Sequence, residues 1–230
     1  MQVNNELGTI NPISEIGKTC FDKGVLFHSD AAQSFVKIET EVDDLNVDVM
    51  SFSAHKIGGP KGIGAIYIRD LRKKQLLPVI HGAGQEEGQR GGTVAAPLII
   101  GFGKAIEVFP TLYHQFKSLK IKFYLLEQLK LQGIEHNVNG FGAALESFLS
   151  LTLPDTDTLV RENKYKLCLA QGSACSSKEI EPSHVLTALG LNRKLADHTF
   201  RVSFPLDISI SDIDVIVSEI QKHTKKADKT

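Results

Sequence analysis

The sequence predicts an α/β fold, a mostly parallel sheet with helices, followed by a smaller α+β region. Three observations carry this reading. Short apolar runs at 25–28, 47–52 and 63–68 alternate with a helical pattern and glycine-bearing connections, the arrangement of a parallel sheet. Beyond about residue 110 the pattern changes, and Leu149, Leu151 and Leu153 alternate with Ser150 and Thr152 as in a half-buried strand. The chain has 230 residues, 42% of them hydrophobic, which is enough to build one large domain or two small ones.

The elements follow in order. Residues 11–24 read as a helix, with Asn11 placed to cap it, Pro12 suited to the first turn and Gly24 to end it. Ile13, Ile16, Cys20 and Phe21 share one face at helical spacing. The glycines of 82–92 mark a loop. Residues 97 to about 131 are largely helical: Leu98, Phe102, Ala105, Ile106 and Phe109 keep helical spacing, and Pro110 is expected to break or kink the run. A domain boundary is placed there, giving 1–110 and 111–230. Residues 183–189 form a short helix ended by Gly190. Phe200, Val202 and Phe204 share a strand face, with Arg201 and Ser203 on the other. Ser211 with Asp214 resembles a capping box ahead of a helix that packs Ile213, Ile216, Val217 and Ile220. The lysine-rich tail from Lys222 reads as a solvated, frayed end. A parallel sheet that began at Met1 would have few strands and an uncovered edge, so a piece of a larger domain is expected.

Composition excludes several function classes. A net charge of −1 and a pI near 6.7 argue against a nucleic-acid protein, whose affinity rests on a basic surface. No stretch approaches a membrane span, and residues 1–20 lack the basic start and apolar core of a signal peptide. The three cysteines, Cys20, Cys168 and Cys175, are widely spaced with no Cys-x-x-Cys pair, which argues against structural zinc and for a reducing, cytoplasmic compartment. Cys168, between two leucines, and Cys20, on the apolar helix face, read as core positions.

Four residues carry candidate chemistry. Lys56 lies in Ser51-Phe52-Ser53-Ala54-His55-Lys56-Ile57-Gly58-Gly59-Pro60-Lys61-Gly62, after an apolar strand and before glycines that let a backbone approach a ligand. A partly desolvated amine there can form a Schiff base; an ordinary turn lysine is the bland reading, and composition alone favours it. Asp30 sits at a strand end, where α/β folds bind ligands and a carboxylate can pair with a pyridinium nitrogen, or else cap the turn that follows. Cys175 lies in Gln171-Gly172-Ser173-Ala174-Cys175-Ser176-Ser177, a setting that suits an exposed thiol nucleophile or an incidental cysteine. Arg201 on a polar strand face can clamp a carboxylate or simply be solvated.

In this order the motifs match a known family. The chain resembles the cysteine desulfurases, fold-type I pyridoxal-phosphate enzymes that supply sulfur for iron–sulfur clusters and tRNA thiolation. The resemblance rests on Val3-Asn4-Asn5-Glu6-Leu7-Gly8, Asp30-Ala31-Ala32-Gln33-Ser34, the stretch ending in His55-Lys56, Arg90-Gly91-Gly92-Thr93, Gly172-Ser173-Ala174-Cys175-Ser176-Ser177 and Glu181-Pro182-Ser183-His184-Val185-Leu186. It implies an incomplete fold-type I large domain plus a C-terminal α+β small domain.

The resemblance also implies roles. Lys56 forms the Schiff base with pyridoxal 5'-phosphate and Asp30 pairs with its ring nitrogen. Gln33 and Asn5 bond near the ring oxygen. Ser53 and His55 hold the phosphate, with His55 also counted among the catalytic residues, and Thr93 reaches the phosphate of a partner subunit in a homodimer. Arg201, with Asn5, binds the carboxylate of L-cysteine. Cys175 takes the sulfur and passes it to an acceptor or scaffold protein. No resident metal is implied, with Cys175 a candidate transient iron–sulfur ligand.

The chain departs from the family at Gln85-Glu86-Glu87-Gly88, Gly91, Gly58 and Ser203-Phe204-Pro205-Leu206. It also lacks the family's earlier segment with its stacking histidine and phosphate turn. Two other readings remain open: a non-catalytic fragment acting as an interaction protein, and a class V aminotransferase or selenocysteine-lyase-like enzyme.

Overall fold

The structure is a computed structural model that describes residues 1–70, 76–116, 118–154, 159, 167, 169–171 and 183–224. The chain forms two compact units. The first comprises Met1–Gln2 and Asn11–Tyr113, the second Val3–Ile10 and His114–Thr230.

In the first unit, helix α1 (Ile13–Asp22) precedes strands β1 (His28–Asp30), β2 (Val49–Ser53) and β3 (Gly64–Ile68). β1 runs parallel to β2, with Asp30 opposite Ser51. β3 runs antiparallel to β2, with Ser53 opposite Gly64. The reason is connection length: a parallel return takes a dozen or more residues, whereas β2 and β3 are joined by the ten residues 54–63. Met50, Val47, Ala31 and Ile13 form the core, with Phe27, Phe52 and Tyr67 packed against it.

Helix α1 departs from its expected face. Ile13 and Gly17 are buried, while Ile16 and Phe21 are exposed and Cys20 is partly exposed rather than core. The helix approaches its neighbour backbone to backbone: a Cβ at Gly17 would overlap the Leu45 carbonyl oxygen. Asn11 does not cap the helix, because its side-chain amide donates to the Met1 carbonyl instead. The strand expected over 25–28 pairs only from His28, and Val25 and Leu26 are exposed.

Helix α2 (Ala96–Gln115) runs through Pro110 without ending there. Phe109 is buried and its ring stacks on Tyr113 at 5.6 Å, so packing on both sides of the proline offsets the hydrogen bond it cannot make.

In the second unit, α3 (Ser118–Leu131) is followed by β4 (Asn137–Val138), β5 (Phe148–Thr152), β6 (Ala170–Gln171), α4 (His184–Ala188), α5 (Arg193–Asp197), β7 (Thr199–Ser203) and α6 (Ile210–His223). The sheet order is β4-β5-β7-β6, and every pairing is antiparallel. Helices α3 and α6 cover it, joining Leu125, Leu129, Ile213, Val217 and Ile220 to Leu149, Leu151, Phe200 and Val202. Each such side chain contributes roughly 1.5–3 kcal/mol of burial.

β5 is buried on both faces rather than half-buried. Its polar face is matched internally: Asn139 donates to Thr152 Oγ1 at 2.8 Å and to Ser150 Oγ at 3.3 Å, and the hydroxyls of Thr152 and Thr199 lie 2.7 Å apart. The capping box of α6 is Ser209 with Asp212, two residues before the expected pair. Asp214 instead accepts a hydrogen bond from the Tyr124 hydroxyl at 2.8 Å.

Candidate active site

The Lys56 segment is built by the end of β2. Ser53 keeps extended backbone angles, and the chain then tightens into a 3-10 turn over Ala54–Ile57. Ser53 Oγ lies 2.8 Å from His55 Nδ1, so hydroxyl, imidazole and amine are presented within four consecutive residues. Glycines after Lys56 close this turn. Gly58 takes a left-handed φ of 78°, and Gly59 N donates to the Ala54 carbonyl at 2.9 Å. A Cβ at Gly59 would sit 2.9 Å from that oxygen.

Positive charge gathers around this turn. Burial holds the Lys37 amine down at about 8, helped by repulsion from Lys56. The His55 imidazole is held below its ordinary value by burial and by the charges of Lys56 and Lys61. Lys37 Nζ lies 6.0 Å from the centroid of the Phe109 ring.

Asp30 ends β1, and its Oδ1 accepts from Ala32 N at 2.6 Å, so the local turn use of this carboxylate is realised. Gln33 is buried in the turn that follows, and Thr93 is exposed in the loop before α2. In that loop Gly82 and Gly91 approach so closely that a Cβ on Gly91 would lie 2.5 Å from Gly82 N, which is why glycine stands at 91.

The second unit holds Asn5 and Arg201. Asn4 shapes the segment: its Oδ1 accepts from Glu6 N at 2.8 Å and Leu7 N at 2.9 Å, a turn set by an asparagine side chain. Gly8, with φ of 76°, packs against Phe148, where a Cβ would lie 2.7 Å from that residue's own. Arg201 projects from β7, and its Nη1 donates to the Asn5 carbonyl at 2.8 Å. Its Nε is buried without a hydrogen-bond partner among the described residues. A buried cationic N–H left unpaired calls for an acceptor, and a carboxylate oxygen supplies one.

Asp30, Gln33, Ser53, His55, Lys56 and Thr93 therefore stand in the first unit, and Asn5 and Arg201 in the second. Cys175 and Cys168 lie outside the described residues. Among the described residues no group of three or more histidine, cysteine, aspartate or glutamate side chains could hold a metal ion. Sequence reasoning gave no role to Lys37, Lys61, Glu6 or Ser183. Lys37 lies four residues after Gln33, and Glu6 and Ser183 sit inside recognised motifs, so their positions were legible although their contacts were not.

The aminotransferase class-V family model matches residues 1–216. A mitosomal cysteine desulfurase of Encephalitozoon cuniculi is 38% identical over 97% of this chain and 52% of its own length. The cysteine desulfurase IscS of Pseudomonas entomophila is 39% identical over 98% of the chain and 57% of its own length. Two solved structures are similar. One, described as SspA in complex with cysteine, has 44% identity and a TM-score of 0.76 over 89% of this chain and 57% of that one. The other, a NifS-like protein, has 31% identity and a TM-score of 0.83 over 96% and 59%. The chain thus spans about half the length of the curated relatives it matches.

Proposed function

Because this chain belongs to the aminotransferase class-V family, we propose that it carries the lysine, carboxylate-binding and sulfur-accepting parts of a pyridoxal-phosphate-dependent cysteine desulfurase. The observation that carries this reading is the turn after β2. Ser53, His55 and Lys56 stand together there, with the charges of Lys37 and Lys61 acting on the same turn. A hydroxyl and an imidazole beside the positive charges of Lys37, Lys56 and Lys61 fit a phosphate dianion.

Ser53 and His55 would hold that phosphate, Asp30 the ring nitrogen, and Gln33 and Asn5 the ring-oxygen edge. When bound, pyridoxal phosphate supplies a carbonyl for amines and a ring that withdraws electrons. The Lys56 amine removes and returns a proton at the substrate α carbon. Arg201 holds the carboxylate of L-cysteine, which offers an acceptor to its Nε, buried without a partner among the described residues. The Cys175 thiolate attacks the substrate sulfur: the S–S bond forms as the C–S bond breaks, and the carbon takes up a proton. L-Alanine leaves and a persulfide remains on Cys175. An acceptor or scaffold protein then receives the sulfur. Thr93, exposed in its loop, would serve the phosphate of the other subunit in a homodimer. No described helix is long and apolar enough to cross a membrane, and a cytoplasmic setting is the compartment proposed.

The test is alanine release from L-cysteine and pyridoxal phosphate, abolished by Lys56→Ala and by Cys175→Ser. No alanine, even with a polypeptide supplying the rest of the relatives' length, contradicts the proposal.

A further inference from the structure

Gln2 is 4% exposed, and its buried side-chain amide is used at both ends. Oε1 accepts from the Ser34 hydroxyl at 2.6 Å, and Nε2 donates to the Glu39 carbonyl at 3.0 Å. Its main chain is fixed as well: N donates to the Asp30 carbonyl and O accepts from Asn11 N, each at 2.8 Å. One residue thus grips a single segment at 30, 34 and 39. The segment leaves the sheet where Ala31 N donates to the Ser51 carbonyl at 2.9 Å. It carries Asp30, whose carboxylate is oriented through Ala32 N, and Gln33, which adjoins Ser34. Between the two side-chain contacts stands Val36, at a left-handed φ of 53°. A β-branched residue is strained there, and such strain persists only where the surroundings hold the backbone.

We propose that Gln2 is a positioning residue: its side-chain amide clamps residues 34–39 in their strained path and thereby holds Asp30 and Gln33 where a pyridoxal ring would meet them. Released at 34 and 39, the turn relaxes at Val36, and both side chains lose the backbone that aims them. The clamp stands on contacts within the first unit. Its consequence for the cofactor rests on the desulfurase reading.

Four variants of the full chain test this. Gln2→Met keeps the length and removes both side-chain bonds, and the Ser34 hydroxyl retains the Ala31 carbonyl at 3.3 Å. Ser34→Ala removes one bond and leaves the other. Val36→Gly takes the left-handed φ without strain, so the segment no longer depends on being held. Gln2→Met/Val36→Gly combines release with relief. The first readout is amide hydrogen-exchange protection of peptide 31–39 in the cofactor-free chain, with α3 as the control for folding. The second is the Kd for pyridoxal phosphate from an absorbance titration. The third is kcat and KM for alanine release from L-cysteine.

Gln2→Met should lower the protection of 31–39 about tenfold and leave α3 unchanged. The Kd for pyridoxal phosphate should rise about fivefold, because only the held segment is competent to bind. The kcat should fall by a similar factor while the KM for L-cysteine stays within about twofold, since Arg201 belongs to the second unit. Ser34→Ala shows the same changes more weakly. Gln2→Met/Val36→Gly returns all of them to within about twofold of the parent. Unchanged protection of 31–39 in Gln2→Met overturns the proposal, as does an equal loss in α3 or a failure of Val36→Gly to restore what Gln2→Met removes. Lower protection with unaltered Kd and kcat in an active enzyme also overturns it. If the parent binds no cofactor yet protection falls and is restored, the clamp stands and the desulfurase reading falls.

Discussion

Replacing Lys37 by methionine should make the protein more stable at neutral pH. The amine is held at about 8 against an ordinary 10.5, chiefly by burial and secondarily by repulsion from Lys56. That depression corresponds to about 3 kcal/mol working against the charged form at neutral pH. The attraction of the ammonium to the Phe109 ring returns about 0.5–1 kcal/mol to the native protein. Methionine keeps the length and fills the same space without a charge, so Lys37→Met should gain about 2 kcal/mol near pH 7.

The gain should depend on pH with a definite sign. Below pH 8 lysine is protonated in both folded and unfolded chains, and the whole penalty is present. Between 8 and 10.5 the folded protein sheds its proton first, the unfolded chain binds more protons, and the parent becomes more stable as pH rises. The advantage of methionine should therefore shrink to under about 1 kcal/mol by about pH 10. Urea unfolding of both proteins at several pH values measures this. A methionine variant that is less stable near pH 7, or whose gain does not change with pH, refutes the account of Lys37 as a buried cation beside Lys56.

Three further outcomes are expected. Gly8→Ala puts a methyl group against Phe148 at a left-handed position and should cost about 2–4 kcal/mol in urea unfolding. Glu87→Gly relieves a left-handed φ of 53° at an exposed site, and a gain of about 0.5–1 kcal/mol should appear as a small rise in the thermal midpoint. Arg201→Lys keeps the charge but loses the planar fork, so the KM for L-cysteine in steady-state assays should rise about tenfold with a smaller change in kcat.

Much of the fold was legible because its signals are local. The period of Ile213, Ile216, Val217 and Ile220 marked α6, and the alternation around Phe200 and Val202 marked β7 with Arg201 on its other face. What was not legible depended on partners distant in sequence. The antiparallel course of β3 follows from the length of a connection, not from the composition of the strand. The full burial of β5 depends on Asn139 and Thr199 reaching its polar side chains. The exposure of Phe21 reflects α1 packing through Gly17, a residue with no hydrophobic signal. In the site, motif order picked out Lys56, Asp30 and Arg201. The amine of Lys37 and the Glu6–Ser183 bond appear only when the chain is folded, because each is a contact across tens of residues or more.

The central claim is that the turn after β2 seats pyridoxal phosphate through Lys56. The direct measurement is reduction with borohydride after incubation with the cofactor, followed by peptide mapping. The account predicts a pyridoxyl group on Lys56 that disappears in Lys56→Ala and weakens when Ser53 or His55 is replaced. A label on Lys37 or Lys61 instead, or none on Lys56 even when the rest of the relatives' length is supplied, would contradict it.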